Sequence, residues 1–88
     1  MDDNRFELNV SLPHDPRFVE TARELAVQAA RQGGCVEADA QTFGRTVEGV
    51  IRRWLTTSPP GSRVPVVVRC LDGPVEVLVD GQTLTPQG

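Results

Sequence analysis

Apolar and polar residues alternate at the start of the chain, with Phe6, Leu8, Val10 and Leu12 on one side and Glu7, Asn9 and Ser11 on the other. A period of two predicts a strand with one buried and one wet face. Pro13 ends it, because proline has no N–H to offer a ladder. The period then changes. Phe18, Val19, Ala22, Leu25, Ala26, Ala29 and Ala30 recur at steps of three and four, the stripe of an amphipathic helix. Asp15 is its expected N-cap and Pro16 its first helical residue. The alanines let this helix approach a neighbour closely, and Gly33-Gly34 supplies the positive φ that closes a helix. Arg17–Glu20 and Glu20–Arg23 are spaced as i,i+3 pairs on its wet side. After a connector at residues 35–38, a second helix is expected from near Asp39. Its stripe is Phe43, Val47, Val50, Ile51, Trp54 and Leu55, with Gly44 bordering the stripe and Gly49 pointing away from it.

Ser58-Pro59-Pro60-Gly61-Ser62 breaks the helical pattern as a loop. Residues 64–80 predict a hairpin around Asp72-Gly73, a strong signal for a two-residue turn. Such a turn fixes the register. It sets Cys70 opposite Val75, Val68 opposite Val77 and Val66 opposite Val79, all apolar and on one face. On the other face Arg69 opposes Glu76, a favourable charge pair across the ladder. The same register places Val67 beside Leu78 on the face away from the helices, where the pair is expected to lie in the open. Asp80-Gly81 offers a further tight turn into a last edge strand. The expected architecture is α+β: β-α-α-β-β with a terminal β, two helices on one face of a small mixed or antiparallel sheet. It spans residues 5–85 as one domain, with frayed ends at 1–4 and 86–88.

Composition narrows the function classes. The chain has 88 residues, of which 39% are apolar and 24% charged, ordinary for one globular domain. A net charge of −3 argues against nucleic acid as a partner, despite a local patch at Arg45, Arg52 and Arg53. All nine basic residues are arginine, which a GC-rich coding sequence accounts for without functional selection. Cys35 and Cys70 lack CxxC spacing and fit reduced thiols in a cytoplasmic protein. The acidic N-terminal stretch has no signal-peptide h-region. No apolar run approaches the roughly 20 residues of a membrane span.

Candidate chemistry is sparse. His14, the only histidine, sits between two prolines and reads as a turn residue, with no triad or metal cluster around it. Cys70 points inward in the hairpin register, which suits packing better than nucleophilic attack. Neither common phosphate-cradling glycine motif is present. Glu48 and Arg52 lie one turn apart where the second helix's stripe gives way to solvent. They form either a surface ion pair or the place where this helix offers charge to a ligand.

The order of the Phe6–Leu12 strand, the Asp15-Pro16-Arg17 helix opening, a second helix, a loop and a hairpin ending VEVLVDG resembles the anti-sigma-factor serine kinases. These belong to the GHKL, or histidine-kinase-like, ATPase superfamily, and the chain looks like a degenerate, truncated relative. In that family the second helix carries an E-x-x-x-N box, its Glu activating the attacking group and its Asn binding magnesium. The matching run is Glu48-Gly49-Val50-Ile51-Arg52: the Glu is kept, but a cation replaces the Asn and would repel magnesium. Thr56 stands where the family often has a histidine. Asp80 takes the place of the adenine-recognising Asp of the D-x-G-x-G box, with Gly81 directly after it. The lid, second glycine box and remaining strands have no counterpart.

The resemblance implies vestigial nucleotide-site positions at Glu48, Arg52 and Asp80, with no catalysis, cofactor or metal. It points to a non-catalytic, protein-binding regulator of bacterial signalling. Val67, Leu78, Arg69 and Glu76 on the hairpin are the expected contact surface for a protein partner, a second copy, or both; nucleic acid and membrane are not expected. Two alternatives stand beside it: a weak nucleotide-binding protein or serine kinase completed by another chain, and a structural subunit of a larger assembly.

Overall fold

β1 (Phe6–Pro13) pairs along its whole length with β2 (Arg63–Cys70), from Phe6 opposite Cys70 to Pro13 opposite Arg63. This is seen in a computed structural model that describes residues 5–70 and 75–86. β3 (Glu76–Val79) and β4 (Gln82–Leu84) continue the sheet, antiparallel throughout, in the order β1-β2-β3-β4. The fold is α+β as expected. Asp72-Gly73 lies outside the described residues, but the register on either side is the one its turn chemistry dictates. Val66 opposes Val79, Val67 opposes Leu78, Val68 opposes Val77 and Arg69 opposes Glu76. Asp80 (φ 51) and Gly81 (φ 86) make the tight turn into β4, so the last strand forms as expected.

The first helix opens differently from its sequence pattern. Asp15 does cap, its Oδ1 accepting from the Arg17 N–H at 2.9 Å, but the residues it caps are a 3-10 turn at Pro16–Phe18. α1 proper is Val19–Gln32. Arg17 folds back onto Asp15 (2.6 Å) rather than forward to Glu20, and Arg23 pairs with Glu24 (3.9 Å). The cap wins over the i,i+3 spacing because its carboxylate already lies beside the guanidinium. At the other end, the Gly34 N–H donates to the Arg31 carbonyl and the Cys35 N–H to the Ala30 carbonyl. Gly34 has φ +93, the left-handed residue that this two-bond closure requires.

α2 (Glu37–Thr57) starts two residues before its expected position at Asp39. Glu37 explains the extension. Its carboxylate takes a two-pronged bond from Arg31 (2.9 and 2.7 Å) and one from Gln41 (2.8 Å), and it sits in the first turn, where the helix dipole favours negative charge.

The helices cover one face of the sheet. Val64, Val66 and Val68 of β2, Val77 and Val79 of β3, and Val75 pack under Ala22, Ala26, Ala30, Phe43, Val47 and Ile51. Each fully buried valine is worth roughly 1.5–3 kcal/mol of transfer energy. Val50, Trp54 and Leu55 complete the α2 stripe half-buried. Val27, which lies off the predicted α1 stripe, is also buried. It faces α2 at Gly44, where an added Cβ would meet Val27 Cγ2 at 2.5 Å. Glycine there lets the helices close on one another. α1 sits over β2 and α2 over β3, and β1 is left at the margin. Leu8, expected in the core with Phe6, Val10 and Leu12, is therefore 46% exposed.

Candidate functional site

Glu48 and Arg52 stand on consecutive turns of α2. Both the Nε and the Nη2 of Arg52 donate to Glu48 Oε2, at 3.1 and 2.8 Å. An exposed i,i+4 pair of this kind contributes roughly 0.3–0.5 kcal/mol. Its chemical meaning is larger, because the carboxylate is already occupied by a cation.

Asp80 is set apart from that pair. Held at positive φ in its turn, it donates its backbone N–H to the Pro65 carbonyl at 3.0 Å. It lines a cleft of about 170 Å³ with Val50, Arg53, Trp54, Thr57, Val79 and Gln82. The helix cation in this cleft is Arg53, the neighbour of Arg52 that points the other way around α2. The space is well below the ~300–1,000 Å³ usual for small-molecule sites. Among the described residues, no group of three or more His, Cys, Asp or Glu is placed to hold a metal ion. No helix among them is long and apolar enough to cross a membrane.

The uncovered face of the sheet carries an ordered set of side chains. Glu7, Arg69 and Glu76 lie in register across three strands, and Arg69 Nε donates to Glu76 Oε1 at 2.8 Å. The next row reads Asn9, Val67, Leu78, Thr83. Val67 and Leu78 are side by side as the register required, yet each is half-buried rather than open. They are flanked in that row by Asn9 of β1 and Thr83 of β4.

His14 is more than a turn residue. Its Nε2 lies 2.9 Å from the Leu55 carbonyl and 3.1 Å from that of Ser58, so the N–H is on that nitrogen and ties the β1–α1 loop to the last turn of α2. Its ring rests against Trp54, centroids 5.2 Å apart. The signal in the sequence was weak: the last turn of α2 contains no basic residue, and a cation or donor from elsewhere is one way to serve its carbonyls. Cys70 is buried and Cys35 half-buried, and neither is in a disulfide among the described residues.

No protein-family model, curated protein or solved structure matches this chain.

Proposed function

We propose that this chain is a non-catalytic, protein-binding regulator of bacterial signalling that acts in the cytoplasm, similar to an anti-sigma-factor kinase domain without ATP binding. The observation that carries the reading is the state of Glu48. The one carboxylate that the family resemblance would make catalytic accepts two hydrogen bonds from Arg52, the residue in the metal-binding place. A guanidinium there both neutralises the base and repels magnesium, so phosphoryl transfer loses its positioning and its charge stabilisation together. The separation of Asp80 from Glu48 and Arg52, in a cleft too small for a nucleotide, supports the same reading.

What remains is a surface. Val67 and Leu78, bordered by the Arg69–Glu76 pair, form an apolar strip with a charged margin on the face that the helices leave bare. A central apolar contact inside a polar rim is the usual anatomy of a protein interface.

Calorimetric titration with magnesium-ATP tests the loss of nucleotide binding: no heat and no thermal shift are expected. A micromolar isotherm that Glu48→Ala abolishes would overturn the reading. Affinity capture from a native bacterial lysate tests the surface. Wild-type protein should retain a sigma factor or a STAS-type antagonist, and Val67→Lys with Leu78→Lys should lose it.

A further inference from the structure

Two features of β1 have no part in the reading above. Among the described residues its outer edge has no strand beside it, and it is a long edge of eight residues, whereas β4 at the other side has three. Between β1 and α1 runs an apolar cleft of about 310 Å³, formed by Phe6, Leu8, Leu25, Ala29 and Val68, with Gln28 and Gln32 its polar side chains. Exposed strand edges pair with other strands, and exposed apolar surface on the same edge adds a reason to do so.

We infer that β1 is the self-association edge of this protein: two copies pair β1 to β1, antiparallel, about a twofold axis at Leu8, and merge their sheets. Three observations select a second copy as the occupant. The first is spacing. α1 lies over β2, so a second copy bonded to β1 sets its own α1 three strand gaps away, roughly 14 Å at the usual ~4.8 Å spacing. The two clefts then lie side by side over the paired β1 strands, with Leu8 of both copies between them. A lone extended peptide would satisfy the strand edge but bring no apolar cleft of its own.

The second observation is charge. The chain carries −3 overall, yet no charged side chain lines the cleft. Glutamine amides both donate and accept, so Gln28 and Gln32 can meet their own copies without an unpaired group. A charged partner would find nothing there to select it.

The third is register. The Pro65 carbonyl is turned towards β3, where it accepts from Asp80. Backbone direction alternates along an antiparallel pair, so Ser11, opposite Pro65, turns its backbone groups to the open edge, as do Asn9 and Glu7. Arg63 already reaches round to Ser11, its Nε donating to Oγ at 2.8 Å and its Nη2 to the carbonyl at 2.9 Å. Glu7 and Asn9 remain for a second strand. Pairing Glu7 of each copy with Asn9 of the other uses both. It also sets Leu8 opposite Leu8 in the closely spaced pair and Phe6 opposite Val10 on the helix-covered face. A shift of one residue would put Leu8 on the polar face. A shift of two sets Glu7 against Glu7, or needs the carbonyl that Arg63 holds.

This edge and the Val67–Leu78 strip are separate surfaces, and one set of variants distinguishes them. Equilibrium sedimentation over a concentration series should give a monomer–dimer equilibrium. Leu8→Lys should weaken the dimer by roughly tenfold or more, as expected for a lost leucine contact, with two lysines then facing each other across the axis. Leu78→Lys should leave dimerisation unchanged. As a second readout that does not depend on that variant folding well, Leu8→Cys in a Cys35→Ser background should cross-link into a covalent dimer on mild oxidation. Directly opposed residues of a non-hydrogen-bonded pair sit within disulfide reach. A monomer at millimolar concentration overturns the inference. So does a dimer lost in Leu78→Lys but not in Leu8→Lys, or faster cross-linking from Glu7→Cys than from Leu8→Cys. Failure to capture a heterologous partner bears on the proposed function alone.

Discussion

Gly44 and Gly49 lie in the same helix, and replacing each by alanine should move stability in opposite directions. In a helix interior, alanine is favoured over glycine by about 0.8–1.0 kcal/mol. At Gly49 an added Cβ meets nothing within 4 Å, so Gly49→Ala should realise the whole gain. For a domain of this size, 1 kcal/mol is roughly 4–8 °C in Tm. At Gly44 the same methyl meets Val27 Cγ2 at 2.5 Å, Arg23 Cγ at 3.1 Å and the Arg23 carbonyl at 3.3 Å. Carbon atoms prefer about 3.5–4.0 Å, so the helices must part by roughly 1 Å or Val27 must turn. The Arg23 stem can swing aside. Val27 is buried and β-branched, and such a residue has essentially one χ1 available in a helix.

Overpacking of this kind costs about 1–3 kcal/mol. Offset by the propensity gain, Gly44→Ala should lose roughly 0–2 kcal/mol, and the two variants should differ by about 1–3 kcal/mol. Trp54, the single tryptophan, packs against the core and reports unfolding by fluorescence. Urea titrations should show the midpoint of Gly49→Ala above wild type and that of Gly44→Ala below it, with unchanged slopes. Val27→Ala added to Gly44→Ala should cost less than the two single changes together, because the new methyl occupies space that the valine vacates. A Gly44→Ala protein at least as stable as wild type, or one with no coupling to Val27, would refute the close-packing argument.

Two further outcomes follow from single contacts. His14→Ala removes the donor that serves the Leu55 and Ser58 carbonyls, and should cost about 1 kcal/mol while shifting Trp54 emission to the red. Unchanged stability and emission would show that the tie is not made in solution. Arg31 first, and Gln41 second, hold the Glu37 carboxyl at about 2 against an ordinary 4.5. A depressed folded-state pKa means that the stabilisation is full above 4.5 and is lost as pH falls towards 2. Glu37→Gln should make the acid limb of the stability curve shallower in that window, by a small amount because the pair is solvent-screened. An NMR titration of Glu37 with a midpoint near 4.5 would refute the assignment.

The parts of this fold that were legible in the sequence are those set by local chemistry. The β2–β3 register follows from a turn signal and an alternation that agree with each other, and Asp80-Gly81 announces β4 in the same way. The Gly33-Gly34 helix stop and the Glu48–Arg52 pair are likewise short-range patterns. What local pattern does not encode depends on partners distant along the chain. Val27 falls outside a stripe drawn for one neighbouring layer, because α1 packs on both the sheet and α2. Leu8 alternates like a core residue, and only the close approach of the two helices leaves it uncovered. His14 bonds to backbone carbonyls, which carry no side-chain identity for a pattern to detect. The candidate site divides similarly: Glu48 and Arg52 were readable as a pair, whereas the meeting of Asp80 with Arg53 depends on how α2 lies across β3.

The course of the strands also decides where anything attached to this domain must leave it. Phe6, at the start of β1, lies opposite Cys70, while Leu84, at the end of β4, lies opposite Val77. Val77 in turn faces Val68, and Val68 faces Leu8. Both ends of the described chain therefore emerge at one pole of the sheet, on its two outer margins, roughly 15 Å apart at the usual strand spacing. Thr85 and Pro86 lie against the first turns of α2 at that same pole. The opposite pole holds the His14–Trp54 contact, the Pro59-Pro60 loop and the Asp80-Gly81 turn. A fusion or surface tether at either end approaches from the same side and leaves that second pole facing outward.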